Sequence, residues 1–312
     1  MLLYMELSKN TRKGLIALCK EQKITGYSGK NKDTLIELLT NPHSNTIVEA
    51  AIEKNSSPLR YPGGKSRAIN ILYSYVCEYF PNKTVLLSPF FGGGSFELFL
   101  TTKGYHRVHA NDLFAPLYTF WVTKQSDCQR LVIAIRENMA ISKEKFQQMR
   151  NSIMEETDPQ KVAASYFIIN RCSFSGATLS GGYSEQAAKG RFTESSIQKL
   201  VACNVDSVHF TNTDCNVFLE NNPETSETLV YADPPYYIRD YIYGKNGDMH
   251  ESFDHAKFAE TIQKRNDWII SYNNCEYIRE LYKNCRIFEV EWSYGMNATK
   301  SSSEILILPA VS

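Results

Sequence analysis

The chain has 312 residues, enough for one large α/β domain and one or two small appendages, each with its own apolar core. Its 34 basic and 34 acidic side chains give a formal net charge of zero, which excludes a binder whose whole surface is basic. The eight cysteines are scattered without a C-x-x-C pair and no histidines cluster at metal-ligand spacing, so we expect no metal site and no disulfide framework.

The sequence carries no sign of export or of a membrane span. The opening MLLYMELSKN lacks the basic start and the continuous apolar centre of a signal peptide. No apolar run reaches the roughly 18 residues that a membrane span needs. We therefore expect a soluble cytoplasmic protein with reduced thiols and no membrane partner.

Residues 1–45 are predicted to form two short helices around a glycine turn, followed by a polar linker at 46–57. Each helix has an apolar face, made by Leu15, Ile16 and Leu18 and by Leu35, Ile36, Leu38 and Leu39. The pattern resembles the SAP module, a small DNA-binding unit, and residues 1–40 hold seven basic and four acidic side chains. The resemblance implies Lys30 and Lys32 as DNA contacts. An ordinary helical hairpin packed on the main domain is the alternative.

From Leu59 onward, apolar strands alternate with helices, which favours a doubly wound, mostly parallel, Rossmann-like sheet. Five strands are predicted: Val85–Ser88, Val108–Ala110, Thr228–Ala232, Trp268–Tyr272 and Ile305–Leu308. The block 114–207 is mainly helical and interrupts the pattern. We expect residues 58–113 and 208–312 to form the sheet domain, with 114–207 as an inserted lobe. The ligand of such a sheet lies beyond the carboxyl ends of its strands.

A glycine turn follows the first strand, and an acidic residue ends the second. The turn comprises Pro89, Phe90, Phe91, Gly92, Gly93, Gly94 and Ser95. Glycines let the backbone turn sharply and lie against a ligand. About twenty residues later, Asp112 occupies the position from which a carboxylate accepts bonds from ribose hydroxyls. The pair indicates an adenosine-containing cofactor, and a tight loop without ligand is the alternative.

The third strand is followed by Asp233, Pro234, Pro235 and Tyr236. Two prolines fix the backbone and remove two donors, so the loop presents acceptors: the Asp233 carboxylate and main-chain carbonyls. Such a loop suits an amino group as its substrate. The exocyclic amine of adenine is one example: it is a poor nucleophile until acceptors hold its protons. Tyr236 can then stack on the base. A base inside a duplex must be flipped out to reach such a pocket. A plain Asp-Pro turn is the alternative reading.

A further motif, Arg60-Tyr61-Pro62-Gly63-Gly64-Lys65, precedes the glycine turn, Asp112 and the Asp233–Tyr236 loop. The four motifs in this order resemble a Dam-like DNA adenine-N6 methyltransferase over about residues 58–309. The resemblance implies S-adenosyl-L-methionine as cofactor and double-stranded DNA as substrate. It implies Asp233, Pro234, Pro235 and Tyr236 as the catalytic tetrad. It also implies cofactor contacts from Tyr61, Gly63, Gly64, Lys65, Pro89, Phe90, Gly92, Gly93, Gly94, Ser95 and Asp112.

The resemblance extends to two further segments. Before the catalytic strand the family has an Asp-Phe pair that contacts the cofactor's adenine, and here Asp214 is followed by Cys215. The inserted lobe corresponds to the family's target-recognition region. There, Arg171 is expected to meet phosphate or base, and Phe174 to act as a wedge. A buried polar turn is the alternative for this segment.

Several alternatives to adenine-N6 methylation of DNA stay open at this point. Cytosine-N4 methylation poses the same chemical problem to the same kind of loop, and an RNA adenine methyltransferase would need similar motifs. A non-catalytic DNA-binding protein on a decayed methylase fold belongs to a different class.

Overall fold

The computed structural model divides the chain into two compact units, Met1–Lys54 and Asn55–Ser312. It describes residues 7, 10–21, 32, 35, 36, 39, 55–61, 64–237, 253–293 and 301–310. In the first unit, helix α1 spans Arg12–Glu21. Its Leu15 and Cys19 are buried in one apolar cluster with Leu7, Leu35, Ile36 and Leu39. The two apolar faces expected from the sequence therefore pack against each other, as far as this unit is described.

The second unit is built on a seven-stranded sheet. Its strands are β1 Val85–Ser88, β2 Arg107–Asn111, β3 Val208–Thr211, β4 Thr228–Ala232, β5 Trp268–Asn273, β6 Arg286–Ser293 and β7 Ser301–Leu308. They lie in the order β3-β2-β1-β4-β5-β7-β6. The first five strands are parallel, and β7 pairs antiparallel with both β5 and β6. The predicted doubly wound, mostly parallel sheet is confirmed.

Two strands of this sheet were not predicted. Strand β3 has four residues at one edge of the sheet, and only Val208 of the four is buried. Strand β6 forms the opposite edge and alternates apolar with polar residues from Phe288 to Ser293. Neither has the continuous apolar run that marks a parallel strand covered on both faces, which is the signal that revealed β1, β4 and β5.

Helices cover the sheet and fill the block between β2 and β3. Those flanking the sheet are α2 Ile69–Tyr79, α3 Ser95–Thr101, α10 Cys215–Asn221, α11 His255–Ile262 and α12 Glu276–Leu281. The block between β2 and β3 holds α4 Ala115–Ser126, α5 Cys128–Arg136, α6 Lys143–Ser152, α7 Pro159–Cys172, α8 Glu185–Gly190 and α9 Glu194–Ala202. None of the helices among the described residues is long and apolar enough to cross a membrane.

Helix α7 is the central helix of the inserted block. It begins where its sequence favours a start: Pro159 occupies the first turn, and the Asp158 carboxylate accepts a hydrogen bond from the Gln160 N–H at 2.9 Å. Its residues Tyr166 and Phe167 are buried against Phe120 of α4. These side chains share one apolar core with Leu86 and Val108 of the sheet. The inserted block is therefore packed firmly on the sheet that carries the motifs.

Candidate active site

The carboxyl ends of the parallel strands bring the sequence motifs to one edge of the sheet. The glycine turn follows β1, Asp112 follows β2, and Asp233 follows β4, which is the neighbour of β1 on its other side. Asn111, at the end of β2, joins the loop after β1 to the loop after β3 from a buried position. Its amide donates to the carbonyls of Pro89 at 3.2 Å and Thr213 at 2.9 Å. The expected ligand-binding edge is thus held by a buried hydrogen-bond network that the sequence did not reveal.

The glycine turn is tightly packed by the protein itself. Gly92 and Gly94 have φ values of +50° and +63°, which side-chain-bearing residues rarely adopt. A Cβ on Gly93 would lie 2.9 Å from the Cβ of Tyr61, and one on Gly94 would overlap the ring of Phe91. The Gly92 carbonyl also accepts the indole N–H of Trp121 at 3.0 Å. The glycines are therefore required by Tyr61 and Phe91 as well as by the path of the backbone.

Asp112 connects this turn to the end of β2. Its Oδ2 accepts the Gly92 N–H and its Oδ1 accepts the Phe114 N–H, both at 2.9 Å. Burial raises the pKa of Asp112, and the two backbone donors oppose that shift. The next residue, Leu113, is 62% exposed, although it follows a buried strand. The half-buried carboxylate retains lone pairs for further donors, and Leu113 offers an apolar surface beside it.

Lys65 and the tetrad residues Asp233 and Tyr236 form a single cluster. The Lys65 ammonium, 3% exposed, donates to both Asp233 oxygens at 2.7 and 2.8 Å and to the Tyr236 hydroxyl at 3.0 Å. Asp233 keeps 24% of its side-chain surface exposed. Burial raises the pKa of Asp233, and the adjacent Lys65 cation opposes the rise. Lys65 is therefore positioned to favour the ionised carboxylate, which is the acceptor form.

Two buried glutamates beside this cluster were missed from the sequence. Glu304 of β7 lies 3.8 Å from the Lys65 ammonium and accepts a hydrogen bond from Ser271 at 3.2 Å. Glu97 of α3 accepts a hydrogen bond from Ser88 at 2.8 Å. Glu97 interrupts the apolar segment SFELFLT, and Glu304 directly precedes the apolar run ILIL; a charged residue within or next to an apolar run is the signal that these two share.

The buried Glu97 leads to a prediction about stability. Burial raises its pKa from the usual 4.5 to about 8, against the opposing effects of Ser88 and Lys65, and the Asp233 charge adds to the rise. The unfolded chain releases this proton near its usual pKa, so the folded state binds more protons between pH 4.5 and 8. The free energy of unfolding should therefore fall with rising pH in this window, by about 1.4 kcal/mol per pH unit.

The Glu97→Gln variant should remove this slope, since the amide keeps the Ser88 contact but does not titrate. Urea unfolding at pH 5.5 and 7.5 measures the effect, with Glu220→Gln, an exposed site, as the matched control. The control should keep the wild-type slope. An identical pH dependence in Glu97→Gln and wild type would show that Glu97 ionises normally in the folded protein.

The remaining expected cofactor residues lie along the same edge, with different degrees of burial. Pro89 is buried, Ser95 is half-buried, and Phe90 packs edge-to-face against Phe253 and Phe258. The Asp214 carboxylate caps α10 by accepting the N–H groups of Asn216 and Val217, at 2.9 and 3.3 Å. Cys215 is buried. The Gly64 N–H donates to the Tyr61 carbonyl at 2.9 Å, and Gly63 lies outside the described residues.

The expected DNA-contacting residues of the inserted lobe have contrasting environments. Phe174 is 67% exposed, as a wedge requires. The Arg171 guanidinium instead donates to the Arg191 carbonyl at 2.8 and 2.6 Å and to the Pro58 carbonyl at 3.5 Å. Burial lowers the pKa of Arg171 to about 10, and the nearby Arg60 cation adds to this. In this structure Arg171 holds the lobe together. Lys32 of the first unit is exposed, and Lys30 lies outside the described residues.

Asn170 joins the lobe to the segment that leads into Lys65. Its fully buried side chain accepts the Arg60 N–H at 2.9 Å and donates to the Arg60 carbonyl at 2.6 Å. Gly176 packs on the same residue with φ at +74°, and a Cβ there would lie 2.8 Å from the Arg60 Cβ. The backbone at residue 60 is therefore fixed by the lobe from two sides.

The family model of the D12 class N6 adenine-specific DNA methyltransferases matches residues 61–296, well over half of the chain. The chain belongs to this family. The methyltransferase thus modifies the N6 position of adenine in DNA, and the alternatives of cytosine-N4 methylation, RNA methylation and a non-catalytic binder are set aside. A search of curated proteins finds no match. The matched region holds Lys65, the glycine turn, Asp112 and the tetrad, so the resemblance inferred from these motifs is confirmed.

Proposed function

We propose that the methyltransferase transfers the methyl group of S-adenosyl-L-methionine to an adenine flipped out of double-stranded DNA, with Asp233 as the central catalytic residue. The observation that carries this proposal is the Asp233 carboxylate, held by Lys65 at the carboxyl end of β4 and still partly exposed. A carboxylate in this setting can accept a proton from an incoming amine. Bound S-adenosyl-L-methionine would supply an electrophilic methyl group on a positively charged sulfur.

The residues present at the glycine turn fit an adenosyl cofactor. Asp112 offers an acceptor for ribose hydroxyls while two backbone N–H groups hold it in place. Leu113 is exposed directly beside it, where an adenine ring would find an apolar surface. Tyr61 covers Gly92 and Gly93 and leads toward Lys65. These contacts support a cofactor position between the ends of β1 and β2, next to Asp233.

The acceptors of the tetrad account for activation of the amine. The N6 lone pair of adenine is delocalised into the ring, and it becomes available to an electrophile as the nitrogen turns tetrahedral. The Asp233 carboxylate and the Pro234 carbonyl would hold the two amine protons in that geometry, and their attraction grows as positive charge develops on the nitrogen. Tyr236 would stack on the base. As the N–CH₃ bond forms, the bond between the methyl carbon and the sulfur would break with its electron pair left on the sulfur, and one amine proton would leave toward Asp233.

The base must leave the duplex for this geometry to be reached. In our proposal Phe174 enters the space that the flipped base vacates, because it is a large apolar side chain exposed on the inserted lobe. Arg171 is engaged with main-chain carbonyls, so its contact with phosphate or base remains a prediction that needs a rearrangement of these bonds.

The proposal is tested by incubation of the 312-residue protein with methyl-labelled S-adenosyl-L-methionine and unmethylated duplex DNA, followed by digestion to nucleosides. Label in N6-methyladenine of duplex DNA supports it. Label that appears only with single-stranded DNA would contradict the flipped-base part. No label in DNA would contradict the proposed cofactor or substrate, and binding of labelled S-adenosyl-L-methionine alone would separate these two failures.

The first unit gives a further prediction. Deletion of residues 1–50 should weaken DNA binding while leaving S-adenosyl-L-methionine binding intact, because a SAP-like unit adds phosphate contacts and tethers the catalytic unit near DNA. Fluorescence anisotropy with duplex DNA at two salt concentrations measures the effect, and the deletion should also reduce the salt dependence. Lys32→Gln in the full chain is the matched point variant. If the deletion variant binds DNA with unchanged affinity, the first unit does not act as a tether.

A further inference from the structure

Glu304 is an ionisable side chain at a buried position of the sheet, where apolar side chains are usual. It opens the run Glu304 to Leu308 on β7, whose other four residues are buried and apolar, and it is itself only 1% exposed. Burial of a carboxylate costs several kcal/mol unless partners compensate for it. The partners of Glu304 should therefore explain its presence.

Those partners are the residues of the catalytic cluster. Glu304 accepts the Ser271 hydroxyl at 3.2 Å, lies 3.8 Å from the Lys65 ammonium and is hydrogen-bonded to the Tyr236 hydroxyl. Strand β5, which carries Ser271, lies between β7 and β4. Glu304 thus reaches the tetrad from a strand that no recognised motif includes.

The direction of these hydrogen bonds follows from the donors available. A lysine ammonium only donates, and Lys65 donates to both oxygens of Asp233 and to the Tyr236 oxygen, at 2.7, 2.8 and 3.0 Å. Because the Tyr236 oxygen accepts from Lys65, its own single proton is available for an acceptor. The Glu304 carboxylate is that acceptor, so the hydroxyl bridges the cation and the anion in one defined orientation.

This bridge restrains the part of Tyr236 that its backbone leaves free. The two prolines fix the main chain before Tyr236, but its ring can still rotate about its own side-chain bonds. Anchoring the hydroxyl at the far end fixes rotation about the Cα–Cβ bond, which would otherwise swing the whole ring away; rotation about the Cβ–Cγ bond leaves the hydroxyl in place and is limited by the side chains around the ring. The ring then lies with the Lys65 ammonium 5.2 Å from its centre and with the ring of Tyr272 6.5 Å away.

We propose that Glu304 is a positioning residue for methyl transfer, which holds the Tyr236 ring and the Lys65 ammonium in the arrangement that receives the target adenine. The proposal rests on the function proposed above for Asp233 and Tyr236. In this proposal Glu304 itself contacts neither the base nor the cofactor. It acts through Tyr236 and Lys65, which do.

A double-mutant cycle tests this role. Glu304→Gln keeps the volume and removes the charge, and Tyr236→Phe keeps the ring and removes the bridge. Each should lower kcat at least about tenfold, the effect of losing one charge-assisted hydrogen bond. If Glu304 acts through Tyr236, the double variant should be within about twofold of the more impaired single variant. The KM for S-adenosyl-L-methionine should change little, and Glu289→Gln on the neighbouring strand, an exposed site, should behave as wild type.

Three outcomes would overturn the inference. A wild-type kcat in Glu304→Gln would do so, and so would losses that multiply in the double variant, because independent effects do not pass through one bridge. If thermal unfolding shows that Glu304→Gln does not fold, Tyr236→Phe still tests the bridge, and a wild-type kcat in that variant would overturn the inference. If the wild-type enzyme leaves no label in N6-methyladenine, the proposed function fails instead, and the two failures are thereby distinguished.

Discussion

The Asp233→Ala variant should lose at least about a hundredfold in kcat for adenine methylation while binding S-adenosyl-L-methionine as well as the wild type does. The carboxylate accepts a proton of the amine most strongly when charge develops on the nitrogen, so its loss affects the transition state more than the bound ground state. Single-turnover methylation and equilibrium binding of labelled cofactor measure the two quantities separately.

The controls for Asp233→Ala separate chemistry from folding. Asp206→Ala, at an exposed position, should retain wild-type kcat and stability. Lys65 keeps Glu304 as a nearby anion in the Asp233 variant, so we expect it to remain folded, which thermal unfolding verifies. Turnover within about tenfold of wild type would mean that the tetrad is a structural turn, contrary to the proposed mechanism.

The Lys65→Met variant should lose about 3–5 kcal/mol in free energy of unfolding at neutral pH, because it leaves the half-buried Asp233 and the buried Glu304 without their cation. It should also move the acidic limb of the pH–rate profile to higher pH. In the wild type, burial raises the pKa of Asp233 and the Lys65 cation lowers it, so removal of the cation lets that pKa rise further. Since the acceptor must be ionised, activity is then lost at a higher pH as the solution is acidified.

A second lysine–aspartate pair provides a matched control. Lys83 pairs with Asp267 at the opposite end of the sheet, before β1 and β5, and both side chains are half-buried. Lys83→Met should also reduce stability but should leave the acidic limb unchanged. If both variants shift the limb equally, or neither does, Lys65 does not set the ionisation of Asp233.

The parts of the fold that the sequence revealed are those with a strong local signal. Strands β1, β4 and β5 are buried on both faces and appear as continuous apolar runs. The edge strand β3 has no such run, and its place beside β2 depends on residues about a hundred positions apart. Pairing over such a distance is a property of the whole sheet and leaves no mark in a short window of sequence.

The residues of the candidate site also fall into those with a local sequence signal and those whose position depends on distant parts of the chain. Asp112, Asp233 and the glycine turn stand next to strand ends, so strand prediction was enough to bring them together. Lys65 was expected beside the cofactor, and its contact with Asp233 depends on how the 3₁₀ turn Lys65–Arg67 meets a loop 168 residues later. Glu304 was missed because the predicted strand began only at Ile305, and a glutamate just before an apolar run is also typical of an exposed strand end; β7 in fact begins at Ser301.

The bonds between Asn170 and the backbone of Arg60 set a limit on how this enzyme can be re-engineered. Asn170 binds the main chain of residue 60, and Gly176 packs on it, so the substitution of Arg60 itself leaves this joint intact. Exchange of the inserted lobe between related methyltransferases would break this joint unless the incoming lobe has an asparagine and a glycine at these two positions. Libraries that test the predicted role of the inserted lobe in target recognition should therefore vary the exposed surface around Phe174 and keep Asn170 and Gly176 constant.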